Sequence, residues 1–86
     1  MSASNDIQQM VREYILREFL PGVDASELSD TTPLISGGVL DSLATVKLVA
    51  ALEETYGIEI QPHEASITHF NCVKDIAALV AAKRKA

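Results

Sequence analysis

Asp41 and Ser42 stand side by side behind Gly37-Gly38 and ahead of an apolar-periodic run, in the stretch GGVLDSLATVKLV. A carboxylate at a helix start accepts a backbone N–H. A serine in the first turn presents a primary hydroxyl beside free amides and the positive end of the helix dipole. Two chemistries fit. Asp41 can act as a plain helix cap with Ser42 filling a turn, which local physics by itself favours. Alternatively, the Ser42 hydroxyl can serve as a point of covalent attachment, with an anion formed there stabilised by the free amides. A capping box is not formed, because the third residues beyond Asp41 and Ser42 are Ala44 and Thr45.

Other reactive side chains offer less. Cys72 is the single cysteine, so no internal disulfide forms, and without a convincing histidine beside it a small buried hydrophobe is expected. His63 and His69 are too few for a metal site. Thr45 is expected to bond its own helix backbone. Tyr14 and Tyr56 fit core positions with a wet hydroxyl. No convergent acid, base and nucleophile emerges, so the chain is not read as an enzyme.

The elements that position these residues follow from periodicity. Ile7, Val11, Tyr14, Ile15 and Phe19 fall at helical steps, giving a first helix over Asp6 to Leu20, capped by Ser4, Asn5 or Asp6 and ended by Pro21-Gly22. Pro21 to Leu40 is a connection of about twenty residues, against the usual ~2 to 8 between helices. Within it Asp24 to Glu27 resembles a capping box, and Leu28, Leu34 and Ile35 can pin it across a core. The second helix is expected from Asp41 to Tyr56, ended by Gly57. Ile58 to Ile60 reads as extended loop. A short third helix follows Pro62, near His63 to Ile67. Asn71 is the expected cap of a last helix carrying Val73, Ile76, Ala77 and Val80. Residues 82–86 form an expected flexible tail in which Lys83, Arg84 and Lys85 are solvated and complement the helix end.

The chain has 86 residues, 48% of them apolar, with two Phe, two Tyr and no Trp. A core of Leu, Ile, Val and Ala in one small domain over 1–86 follows, and with it an all-α, four-helix bundle of three longer helices and one short third helix. A formal charge of -5 disfavours nucleic acid, which asks for clustered Lys and Arg. No stretch approaches a membrane span and no cleavable leader is visible, so a soluble, unprocessed, cytoplasmic monomer is expected.

On a helical wheel Thr45, Leu48, Val49, Leu52 and Tyr56 share a sector of roughly 100° that forms the expected core face. Leu43, Lys47, Ala50 and Glu54 fall opposite. Ser42 lies just beside that sector, so a chain attached there could bend back toward the interior.

The run LISGGVLDSLATVKLVAALEETYGIEI, Leu34 to Ile60, resembles the signature region of the acyl carrier protein family, in which an Asp-Ser-Leu triplet opens the second helix. The likeness extends to the first helix, the long loop and the last helix. It implies a 4′-phosphopantetheine arm on Ser42, transferred from coenzyme A by a phosphopantetheinyl transferase. It further implies an acyl thioester on the arm's thiol, presented to acyl-processing enzymes of fatty-acid, lipid or polyketide-type biosynthesis. Asp41, Leu43, Val46, Lys47, Ala50, Glu53 and Glu54 would serve recognition by the transferase and by partners, and no residue would be catalytic.

Two features depart from fatty-acid carriers. Ala44 and Lys47 stand where acids are common, which weakens docking on basic patches while Glu53, Glu54 and Glu59 retain part of it. Val39-Leu40 ahead of Asp41 resembles instead the discrete carriers loaded by ATP-dependent ligases, D-alanyl and other aminoacyl carriers among them. A specialised stand-alone carrier follows, served by an acyl- or aminoacyl-loading ligase. From a different class, an unmodified helical module binding a partner through Leu43 and its neighbours is the alternative.

Overall fold

The computed structural model describes residues 3–85, apart from the side chains of 3–5, 25 and 85. Its order is α1 (Ala3–Phe19), a 3-10 turn (Ala25–Glu27), α2 (Ser42–Tyr56), a second 3-10 turn (Pro62–Glu64), α3 (Ile67–Phe70) and α4 (Val73–Lys85). All regular structure among the described residues is helical, and Ile58 to Ile60 is loop rather than strand, as expected. The four-helix architecture is the expected one. No helix among them is long and apolar enough to cross a membrane.

The core gathers Ile7, Val11 and Ile15 from α1, Leu48 and Leu52 from α2, Phe70 from α3, and Val73, Ile76, Ala77 and Val80 from α4. α1 and α4 share the most extensive interface. α2 packs against both, and α3 lies on α4. The backbones of α2 and α3 do not approach each other, which leaves a gap on that side of the bundle.

Several boundaries differ from expectation. α1 begins at Ala3, so Ser4, Asn5 and Asp6 lie inside it rather than capping it. The short third helix is split: Pro62 opens a 3-10 turn closed by a reciprocal box between Gln61 and Glu64, and α3 starts only at Ile67. α4 continues through 82–85, while Ala86, the end of the expected flexible tail, lies outside the described residues. Lys83 is not free in solvent, since its Nζ pairs with Glu64 at 2.8 Å and ties α4 to the second turn. The Arg84 guanidinium stacks over the Tyr56 ring, and the Lys85 side chain lies outside the description. Burial pushes the Tyr56 hydroxyl above its ordinary pKa, an effect that Arg84 opposes. Cys72 is half-buried rather than fully enclosed.

The long connection is held as a structure in its own right. Asp24 to Glu27 makes the expected turn, with the Asp24 amide donating to Glu27 Oε2 and the Ser26 amide to Asp24 Oδ1. Leu28, Leu34 and Leu40 drop into the core. Arg12 reaches from α1 to the Asp30 carboxylate, and the Asp30 carbonyl accepts from the Lys74 amide at 3.0 Å.

Asn71, expected to cap α4, instead ends α3 and faces this connection. Its carbonyl accepts from Leu34 N–H at 2.7 Å. Its Oδ1 accepts from the amides of Ile35 and Ser36 and from the Ser36 hydroxyl. The position opening α4 falls to Cys72, whose carbonyl receives the Ile76 amide. Loop amides that would otherwise lack partners are satisfied by one side chain remote in sequence.

Candidate functional site

Leu34 begins the approach to α2: its carbonyl accepts from the amides of Val39 and Leu40 at 2.8 and 3.0 Å. With Leu40 buried, the chain emerges at Asp41, whose backbone is extended at φ -88°, ψ -174°. Asp41 Oδ1 accepts the Ala44 amide at 2.8 Å, the expected cap. The Asp41 carbonyl accepts both the Thr45 amide and the Thr45 hydroxyl, so Thr45 bonds its own helix as expected.

Ser42 is therefore the first residue of α2, and it is exposed. Its hydroxyl makes no hydrogen bond among the described residues, nor do the amides of Ser42 and Leu43. An exposed primary hydroxyl with two free N–H groups at a helix start suits a phosphate ester: the oxygen is reachable and the new anion has donors at hand.

Where Ser42 points differs from the wheel. The buried stripe of α2 is Ala44, Leu48 and Leu52, with Val49 and Tyr56 only half-buried at its margin. Leu48 marks the centre of that stripe, and Ser42 lies about 120° from it, farther than from the centre of the expected face. The stripe turns because α2 is covered by α1 and α4 and not by α3. Ala44 belongs to the core at 8% exposure, so its lack of charge says nothing about a docking surface. Only Lys47 carries that departure.

Ser42 opens instead onto a groove of about 750 Å³ between α2 and the segment from Ile60 to Ile67. Thr45, Val46, Val49, Ala50 and Glu53 line one wall; Ile60, Pro62, Ala65 and Ile67 line the other, and Ile35 and Leu40 complete the lining from the long connection. The far end is fixed by Glu53, whose Oε2 accepts the Ile60 amide at 2.9 Å. The second wall is fixed by Glu64, bonded to the Gln61 amide and to Lys83. The Lys83 hydrogen bond first, and the Gln61 amide second, hold the Glu64 carboxyl below its ordinary range.

Of the residues singled out in the sequence, Asp41, Ser42, Val46, Ala50 and Glu53 come together on the groove. Leu43, Lys47 and Glu54 are exposed on the adjoining outer face of α2 and do not line it. Leu43 and Val46 are 65% and 63% exposed, and Ile67 across the groove is 54% exposed. Sequence reasoning missed Ile67 and Val49 as groove residues and Asn71 as the tether of the long connection. Ile67 had a faint signal, an isoleucine in an otherwise polar, short-helix segment. Among the described residues no group of His, Cys, Asp and Glu is placed to hold a metal ion.

Comparison with known proteins gives consistent matches. Residues 11–80 match the family described as phosphopantetheine attachment site. The chain is 42% identical over 67 residues to lincomycin biosynthesis protein LmbN of Streptomyces lincolnensis, covering 78% of this chain but spanning only 24% of that protein. It is 39% identical over 62 residues to the acyl carrier protein of Sinorhizobium fredii, covering 72% of this chain and 76% of that one. The acyl carrier protein AcpP of Rhizobium meliloti matches to the same extent. Among solved structures, a chain described as "Crystal structure of FAD-dependent dehydrogenase" superposes with a TM-score of 0.73 at 38% identity, over 81% of this chain and 97% of that one.

Proposed function

The chain belongs to the phosphopantetheine-attachment family of carrier proteins, and from that premise we propose that Ser42 is the residue that bears its covalent 4′-phosphopantetheine. The single observation that carries this assignment is the Ser42 hydroxyl: exposed, unbonded, first in α2, and open to the groove. In the transfer, the Ser42 oxygen attacks the pantetheine-side phosphorus of the coenzyme A pyrophosphate, forming the phosphodiester as the bond to the departing adenosine 3′,5′-bisphosphate breaks, and the transferase supplies the metal and the base that takes the serine proton. Asp41 holds the helix start and the free amides of Ser42 and Leu43 meet the resulting phosphodiester.

The arm's thiol holds an acyl group as a thioester, which partner enzymes process; the carrier contributes placement and not catalysis. Leu43, Val46, Lys47, Ala50 and Glu54 form the surface that the transferase and later enzymes contact, with Asp41 and Glu53 at its two ends. An apolar centre flanked by charges is the composition expected of such a contact. We assign the carrier to acyl metabolism of fatty-acid, lipid or polyketide type, in the cytoplasm and as a monomer, loaded by an acyl- or aminoacyl-specific ATP-dependent ligase. The likeness to a chain described with an FAD-dependent dehydrogenase supports a flavin enzyme acting on the tethered group as one partner.

A second reading, an aminoacyl carrier, is favoured by Lys47 on the outer face and by Leu40, which anchors the apolar approach to Asp41 in the core. Intact-mass measurement after incubation with a phosphopantetheinyl transferase and coenzyme A tests the attachment. One pantetheine adduct is expected on the wild type and none on Ser42→Ala. No adduct on the wild type would favour an unmodified interaction module, and an equal adduct on the variant would place the attachment at a residue other than Ser42.

A further inference from the structure

We propose that the far end of the groove recognises a positively charged cargo: an aminoacyl group whose α-ammonium meets the carboxylate of Glu53. This rests on attachment at Ser42 and adds the chemical class of what the arm carries. Ser42 and Glu53 lie eleven positions apart on α2, about 16 Å along its axis. Between them Val46, Val49 and Ala50 make one apolar wall facing Ile60 and Ile67, so an arm folded back from Ser42 is led toward Glu53.

Glu53 is half-buried and held in place, because its Oε2 is committed to the Ile60 amide at 2.9 Å. Its Oε1 has no hydrogen-bond partner among the described residues. The groove lining contains two charged residues, Asp41 and Glu53, and no Lys, Arg or His. Asp41 is at the mouth and spends Oδ1 on the Ala44 amide. The neighbouring acids are also engaged: Glu59 accepts from Gln61 Nε2, and Glu64 from Lys83. What the far end offers is therefore an oriented carboxylate oxygen at the close of an apolar channel.

That arrangement discriminates among cargoes. A long alkyl chain reaching Glu53 would strip water from the carboxylate and supply nothing in its place. A cargo ending in a carboxylate would be repelled. An α-ammonium on a short acyl group supplies both charge and donors, and the preceding apolar wall accommodates the rest of the arm.

The test uses the full chain loaded through a phosphopantetheinyl transferase with two coenzyme A analogues. One carries an amide-linked alanyl group and the other an isobutyryl group, which replaces the ammonium by a methyl of similar size. Mass spectrometry first establishes a single adduct on Ser42. Failure to load wild type while Ser42→Ala behaves identically overturns the attachment reading itself, and with it this proposal. With the adduct in place, alanyl is expected to move the Ile60 amide resonance and isobutyryl to leave it near its unloaded position. The α-ammonium pKa is expected to be higher in wild type than in Glu53→Gln by on the order of one unit. The substituted carboxamide keeps an acceptor for the Ile60 amide, and unchanged amide dispersion verifies the fold. Equal Ile60 responses to the two cargoes, or an α-ammonium pKa unmoved by Glu53→Gln, overturn charge recognition while leaving Ser42 attachment intact.

Discussion

Asn71 Oδ1 accepts the Ile35 amide at 3.0 Å, joining the end of α3 to a loop residue thirty-six positions earlier. The same oxygen takes the Ser36 amide at 2.9 Å. One side chain thus shapes the backbone that leads to Asp41 and Ser42.

Replacing Asn71 by Ala removes the acceptor of both amides while leaving the Leu34 bond to its backbone carbonyl. A loss of about 1–3 kcal/mol is expected from the stranded donors. Thermal unfolding followed by circular dichroism would show a melting temperature lower by several degrees, and an unchanged midpoint would argue that water replaces the carboxamide.

Gly37 is required by space. A Cβ placed there would meet the Pro33 carbonyl oxygen at 2.3 Å, a backbone atom that cannot rotate away. Gly37→Ala is expected to cost about 1–3 kcal/mol through the forced backbone shift. Urea titration reads this as a lower midpoint, and stability equal to wild type would mean that the loop relaxes freely.

Leu43 faces solvent at 65% exposure, so Leu43→Ser should change stability by less than about 0.5 kcal/mol. As part of the contact surface it should lower kcat/KM for pantetheinylation about fivefold or more, equivalent to about 1 kcal/mol. Steady-state kinetics with the transferase make the measurement, and an unaltered kcat/KM removes Leu43 from that surface.

Glu64 gives the groove wall a pH dependence. Its folded carboxyl titrates below the ordinary 4.5, first because of the Lys83 hydrogen bond and next because of the Gln61 amide. The unfolded state therefore binds the proton more readily, so this contribution is fully present above about pH 4.5 and is lost as the pH falls through the lower folded value. Melting temperatures measured across that window should converge for wild type and Glu64→Gln as the pH drops. A constant difference between them would show that the carboxylate charge is not what holds the turn.

Much of the fold was legible in local residues. Asp41 as cap, Gly57 as a left-handed terminator at φ 65°, and the Asp24–Glu27 turn all appear where expected. Each depends on bonds or backbone angles within a few positions, which residue type nearly dictates. Ser42 at the head of α2 was legible for the same reason. The Asn71 tether was not, because an asparagine near a helix start reads as a cap until the partner thirty-six positions away is known.

By itself, the sequence determined an all-helical chain with an exposed serine at a capped helix start, because propensity, capping and apolar periodicity act over one or two turns. Tertiary structure decided which side of α2 that serine shares. The wheel located an apolar sector, but the helix turns Ala44, Leu48 and Leu52 inward because α1 and α4 cover it and α3 does not. Burial depends on neighbours brought together from distant sequence, and their absence along one side of α2 leaves the groove from Ser42 to Glu53.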